Sequence, residues 1–147
     1  MSAEDQRTIL VADQDESFRR QLREGFAGEP YRLVLTATEE EAWAELERQT
    51  PDLVLLDASA QGLDGFDLCR RLKLRKETRE VPVVLISAAS EEQHILRGFE
   101  EGADDLLRKP LSVAYLKTKI RVWLARASRA RAGEGAGRPP EEPPTQA

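Results

Sequence analysis

The sequence predicts an open, doubly wound α/β domain, a five-stranded parallel sheet with five helices on its two faces. Two observations predict it. Five short apolar runs alternate along the chain with charged, amphipathic stretches of helical period. Most of those runs are continuous rather than alternating, as expected for strands covered on both faces. Strand and helix units in regular alternation, joined by short loops, pack as a parallel sheet between helix layers.

The elements follow in order. Ile9-Leu10-Val11-Ala12 is the first strand, and Phe18, Leu22 and Phe26 recur at helical spacing after it. Leu33-Val34-Leu35 is the second strand, with Ala42, Trp43 and Leu46 on one face of the helix that follows. Pro51 precedes the third strand, Leu53-Val54-Leu55-Leu56. Asp64 stands where an N-cap is wanted, and Phe66, Cys69 and Leu72 share a face of the third helix. Pro82 precedes the fourth strand, Val83-Val84-Leu85-Ile86. A start near Ser87–Ser90 with Glu91-Glu92 in its first turn opens the fourth helix, marked by Ile95 and Phe99. Gly102 offers a left-handed stop before Leu106-Leu107, the fifth strand. Leu116, Ile120, Trp123 and Leu124 mark the fifth helix, which fades after Arg126.

Composition narrows the function classes. The chain has 147 residues, 22 Lys+Arg against 27 Asp+Glu, and a net charge of −5. That balance argues against a partner that is nucleic acid, since phosphate backbones reward clustered positive charge. No run approaches the roughly 20 apolar residues that cross a bilayer, and MSAEDQRT has no secretory pattern, so a cytoplasmic, membrane-free protein is expected. A single cysteine, Cys69, allows no internal disulfide. Residues 1–131 are expected to form the folded domain. Residues 132–147, AGEGAGRPPEEPPTQA, hold three Gly and four Pro and are expected to be disordered. No output domain fits in those sixteen residues, so a stand-alone module is the expectation.

In a doubly wound sheet, ligands gather at the carboxyl ends of the strands. There the sequence places Asp13-Gln14-Asp15-Glu16, Asp57, Ser87 and Lys109-Pro110. Two close carboxylates repel by about 4 kcal/mol at an effective dielectric near 20. A divalent, oxygen-seeking cation relieves that repulsion, and Mg²⁺ typically uses one or two carboxylates plus waters. A lysine and a hydroxyl opposite would complete a cradle for a phosphoryl group, with a carboxylate as nucleophile.

These residues carry a family resemblance. PDLVLLDASAQGLDG over residues 51–65 resembles the phosphoacceptor stretch PDLVLLDxxMPGMDG of the receiver domains of two-component response regulators. VPVVLISA over residues 81–88 resembles their strand ending in Thr or Ser then Ala, and GADDLLRKPL over residues 102–111 resembles GADDYLxKPF. The resemblance spans about Thr8 to Arg131 and implies a flavodoxin-like, chemotaxis-regulator-like fold. It implies Asp57 as phosphoacceptor, with Lys109 pairing first with Asp57 and then with the phosphoryl oxygens. Ser87 would hydrogen-bond the phosphoryl group. Mg²⁺ would be held by Asp13, Gln14, Asp57 and the backbone carbonyl of Ser59. The Lys109-Pro110 bond would be cis. Implied partners are a sensor histidine kinase or phosphotransfer protein and a downstream effector protein.

Four departures from the family pattern matter. Gln14 replaces the second acidic residue, a direct Mg²⁺ ligand in the family, and Asp15 is badly aimed to compensate. Ala60-Gln61 replaces Met-Pro and loosens that loop. Leu106 replaces the aromatic switch residue. Ser87 replaces the commoner Thr and keeps the hydroxyl. Two readings follow: a working receiver phosphorylated on Asp57, not an enzyme turning over a small molecule, or a pseudo-receiver acting as an interaction module without phosphorylation. A third, a haloacid-dehalogenase-type phosphatase, lacks its second Asp, because Ser59 stands there.

The remaining candidates have plainer readings. His94 is expected to be a solvated helix residue, Cys69 a core thiol, and Trp43 and Trp123 core or core-edge rings. The basic fifth helix (Lys117, Lys119, Arg121, Arg126) and the acidic end of the fourth (Glu100, Glu101, Asp104, Asp105) suggest a homodimer face through helices 4 and 5. A solvated surface is the alternative, because exposed ion pairs are weak.

Overall fold

The computed structural model describes residues 6–58, 64–88 and 92–131, the side chains of 92–94, 130 and 131 excepted. The elements are β1 (Arg7–Ala12), α1 (Glu16–Gly25), β2 (Tyr31–Thr36), α2 (Glu39–Arg48), β3 (Leu53–Asp57), α3 (Gly65–Leu74), β4 (Val83–Ser87), α4 (Glu92–Glu100), β5 (Asp105–Arg108) and α5 (Val113–Arg131). The sheet is parallel throughout, in the order β2-β1-β3-β4-β5. The predicted fold class and element order are those observed. The expected tail, residues 132–147, lies outside the described residues.

Burial explains why the central strands read as continuous apolar runs. Every residue of β3 and β4 is buried, whereas the edge strands β2 and β5 are only partly covered. Two cores flank the sheet. Ile9, Val11, Leu53, Leu55, Val84 and Ile86 pack with Phe18 and Leu22 of α1 and Leu116, Ile120 and Leu124 of α5. Leu10, Val54, Leu56 and Leu85, on the opposite face, pack with Ala42 and Leu46 of α2 and with Phe66, Cys69 and Leu72 of α3. Each helix that matters to the sheet edge is capped from the sequence. The Asp15 carboxylate accepts from the Ser17 and Phe18 amides, Thr38 from Glu41 and Asp64 from Asp67.

Cys69 is fully buried, and burial pushes its thiol up to about 11, so it behaves as a core thiol. Trp43 and Trp123 pack at the edges of the two cores. Gly102 has φ +97 and closes α4 as expected, and the Lys109-Pro110 bond is cis. The predicted face of α4 needs one correction: Phe99 is 53% exposed and does not point into the core. Gly98 is the residue turned inward. A Cβ there would meet Leu85 Cδ1 at 3.1 Å and Leu106 Cδ1 at 3.5 Å, so the missing side chain lets α4 lie close on β4 and β5. Leu106 fills part of that space.

Candidate functional site

The chain reverses its winding between β1 and β3, and the crevice of a doubly wound sheet opens at such a reversal. β1 and β3 pair with Ala12 opposite Leu56, so the next residues, Asp13 and Asp57, emerge side by side. Backbone hydrogen bonds carry the ladder past the strand ends. Asp13 donates to the Thr36 carbonyl at 3.0 Å, Ala58 to Ile86 at 2.8 Å and Lys109 to Ser87 at 2.9 Å. These bonds fix the rim on which the predicted groups stand. Asp13, Asp57 and Ser87 are buried, at 1%, 4% and 0% exposure. Ser87 ends β4, one residue beyond the Asp57–Ile86 pair.

Lys109 comes from the end of β5 and reaches across the rim. Its ammonium stands 2.9 Å from Asp13 Oδ2, 3.2 Å from Asp13 Oδ1 and 3.9 Å from Asp57 Oδ2. The expected pairing with Asp57 is therefore secondary in this structure, and Asp13 is the nearer partner. Burial raises the Asp13 carboxyl from 3.8 to about 6. The Asp15 amide, donating to Oδ1 at 2.9 Å, and Lys109 oppose that rise, and the charge of Asp57 adds to it.

The other predicted residues fall differently. Gln14 is exposed, and Asp15 is occupied as the N-cap of α1, so it is not turned into the pocket. Ser59, Ala60 and Gln61 lie outside the described residues, as does the side chain of His94. Among the described residues no group of three His, Cys, Asp or Glu side chains is arranged to hold a metal. The two that remain still fit a hard cation. Asp13 Oδ2 is buried, with the Lys109 ammonium 2.9 Å away, and stands beside a second buried carboxylate.

Three contributors to the site are given no role by the motif reading, although Gly65 closes the motif of residues 51–65. Arg19 Nη1 donates to the Asp13 carbonyl at 2.6 Å and anchors the β1–α1 turn. The Phe18 ring lies under the Lys109 ammonium, 4.5 Å from nitrogen to centroid. Gly65, the first residue of α3, lies against the backbone of Asp57 and Ala58. Helical period identifies Phe18 only as a core residue, and nothing local links it to a lysine so far along the chain.

Five of the charges expected to form a dimer face are engaged within the chain. Lys117 pairs with Glu29 and Lys119 with Asp105, both at 3.0 Å. Asp104 pairs with Lys73 at 2.8 Å, and Glu101 lies 3.7 Å from Arg70 and 3.8 Å from Arg97. No helix among the described residues is long and apolar enough to cross a membrane.

Comparison with known proteins places this arrangement. Residues 9–121 match the family model of the response regulator receiver domain. The phosphate regulon transcriptional regulatory protein PhoB of Rhizobium meliloti is 34% identical over 119 residues, covering 81% of this chain and 52% of that protein. The response regulator PleD of Caulobacter vibrioides is 38% identical over 113 residues, 77% of this chain and 25% of PleD. This chain thus spans about half the length, or less, of the curated relatives it matches. Among solved structures, a putative response regulator from Chloroflexus aurantiacus superposes with a TM-score of 0.76 at 30% identity, covering 83% of this chain and all of that one. A CheY-like receiver domain from Methanospirillum hungatei, at 22% identity and a TM-score of 0.78, shares the fold. With the family model spanning most of the folded residues and the two buried aspartates at the sheet's reversal point, the chain belongs to the response regulator receiver domains of two-component signalling.

Proposed function

We propose that Asp57 is the phosphoacceptor of this receiver, taking a phosphoryl group from a phosphohistidine on a sensor histidine kinase or phosphotransfer protein. The carrying observation is the pair of buried carboxylates, Asp13 and Asp57, with the Lys109 ammonium within 4 Å of both. An Asp57 carboxylate oxygen attacks phosphorus, the P–N bond breaks and the imidazole leaves with the electron pair. Lys109 and the Ser87 hydroxyl take phosphoryl oxygens in the product. Asp13 and Asp57 would hold Mg²⁺, helped by carbonyl oxygens of Gln14 and Ser59. Bound there, the metal neutralises the charge that gathers on the transferring group. Output by contact with a downstream effector completes the reading.

Acetyl phosphate with Mg²⁺ is expected to add one phosphoryl mass to the intact chain, and Asp57→Ala is expected to remove that adduct entirely. No adduct at high Mg²⁺ would overturn the assignment. It would favour the second reading, a pseudo-receiver, which rests on the missing charge at Gln14 and on Leu106 in place of an aromatic switch.

A homodimer through α4 and α5 belongs to the same proposal. With the charged pairs largely satisfied internally, its support is apolar: Leu96 and Phe99 on α4 and Tyr115 and Val122 on α5 are 47–60% exposed. Beryllofluoride, a phosphoryl mimic, is expected to shift the mass measured by light scattering toward a dimer. An unchanged monomer mass would remove this face from the proposal.

A further inference from the structure

The roles assigned above leave one contact in the acid pocket without a purpose. Lys109 stretches from β5 past β4 and β3 to Asp13 on β1, although Asp57 lies nearer its origin in the sheet. From the first turns of α1 comes the Phe18 ring, 4.5 Å from the same ammonium. Phe18 is 6% exposed and the Lys109 side chain 15%, so water screens this contact poorly. The face of an aromatic ring carries the negative end of its quadrupole and attracts a cation held above it. An aliphatic side chain at position 18 would fill the same core and offer no such face.

Position 14 gives this contact its weight. With Gln14 neutral and exposed, Asp13 and Asp57 are the buried carboxylates that face the Lys109 ammonium. A divalent cation must then share Asp13 with an ammonium already 2.9 Å away. Whatever tightens the lysine's hold on Asp13 weakens the metal's.

We propose that Phe18 is a positioning residue whose ring face holds the Lys109 ammonium on Asp13, making the lysine compete with Mg²⁺ for that carboxylate. The proposal rests on the reading of Asp13 as a Mg²⁺ ligand. Phosphorylation of Asp57 would add negative charge within reach of the lysine and compete with the ring and Asp13 for it. Phe18 thereby sets how readily the pocket exchanges its internal cation for the metal.

The test replaces Phe18 in the full chain by mono-, di- and trifluorophenylalanine, which keep the shape and progressively remove the negative face. Two quantities are read without any phosphodonor: the Mg²⁺ dissociation constant by calorimetry and the NMR shift of the Lys109 ε-methylene. The ring current is expected to move that methylene upfield in the parent chain, and Mg²⁺ to return it toward its ordinary position. The dissociation constant is expected to fall at each fluorination step, by about 2- to 30-fold in total. Phe18→Leu should match the most fluorinated ring and Phe18→Tyr the parent. Should Phe18→Leu fail to fold, the fluorinated series decides alone. A flat dissociation constant across the series, an undetectable Mg²⁺ affinity in the parent, or an ordinary methylene shift without Mg²⁺ overturns the proposal. If both readouts behave as expected and Asp57 is never phosphorylated, the phosphoacceptor assignment falls and the role of Phe18 stands.

Discussion

Asp13→Asn is expected to stabilise the folded chain at pH 7 by about 1–3 kcal/mol while weakening Mg²⁺ binding at least tenfold. The two effects have one origin. Asp13 is 1% exposed, and its carboxyl is raised from 3.8 to about 6, first by burial and then by the charge of Asp57. Well below pH 3.8 the group is protonated in both folded and unfolded chains and costs nothing. As pH rises toward 6 the unfolded chain releases the proton first, so stability is lost, and above about 6 the loss is complete. A rise of that size corresponds to on the order of 3 kcal/mol. That rise is already net of the pairing with Lys109, and the lower end of the range allows for an amide that fits the pocket less well than the neutral acid. Asn keeps the shape and an acceptor for the Asp15 amide, so the pocket is not left with a hole. Urea unfolding at about pH 3 and pH 7 measures the difference: the variant should gain on the parent only at the higher pH. A variant less stable than the parent at pH 7 would show that the pairing with Lys109 outweighs the burial.

How much of this was legible in the sequence depends on the range over which each signal acts. Strand runs and helix faces are local patterns, and all ten elements appear where period and punctuation put them. Phe99 is the instructive miss. Spacing from Ile95 makes it a core residue, yet α4 turns Gly98 inward, where a Cβ would lie tightly against Leu85. Glycine carries no hydropathy signal, so its packing role is invisible to a periodicity argument. At the rim, the strand-end rule located Asp13, Asp57, Ser87 and Lys109 on the correct edge. It could not say which carboxylate the lysine would choose, because that depends on burial and on a ring from another element. Asp15 shows the reverse: its place before Ser17 and Phe18 makes it a helix cap, and capping removes it from the metal chemistry that its position in the acidic run suggests.

Gly65→Ala should be the most damaging single-methyl change near the acceptor. Averaged over helices, replacing Gly by Ala stabilises by roughly 1 kcal/mol, because Gly loses more backbone entropy on folding. Position 65 reverses that sign. A Cβ there would collide with the Asp57 carbonyl oxygen and lie 2.9 Å from the Asp57 carbonyl carbon and 3.1 Å from Ala58 Cα. All three obstacles are backbone, and the backbone is not free to give. Ala58 donates to Ile86 at 2.8 Å, and Asp57 closes the register of β3 with β4. Its side chain is among the buried groups of the pocket. Either α3 must back away from the sheet, loosening Phe66, Leu68 and Cys69 in the core beneath it, or the Asp57 peptide must rotate. Overpacking of this kind costs about 1–3 kcal/mol where side chains can shift, and the upper end or beyond is expected where only backbone can. Urea unfolding should show that loss, and acetyl phosphate should label the variant more slowly than the parent at a temperature where both are folded. A variant as stable as the parent would mean that the approach of α3 to the phosphoacceptor strand is looser than these distances indicate. Equal labelling alongside lost stability would mean that α3, rather than Asp57, gives way.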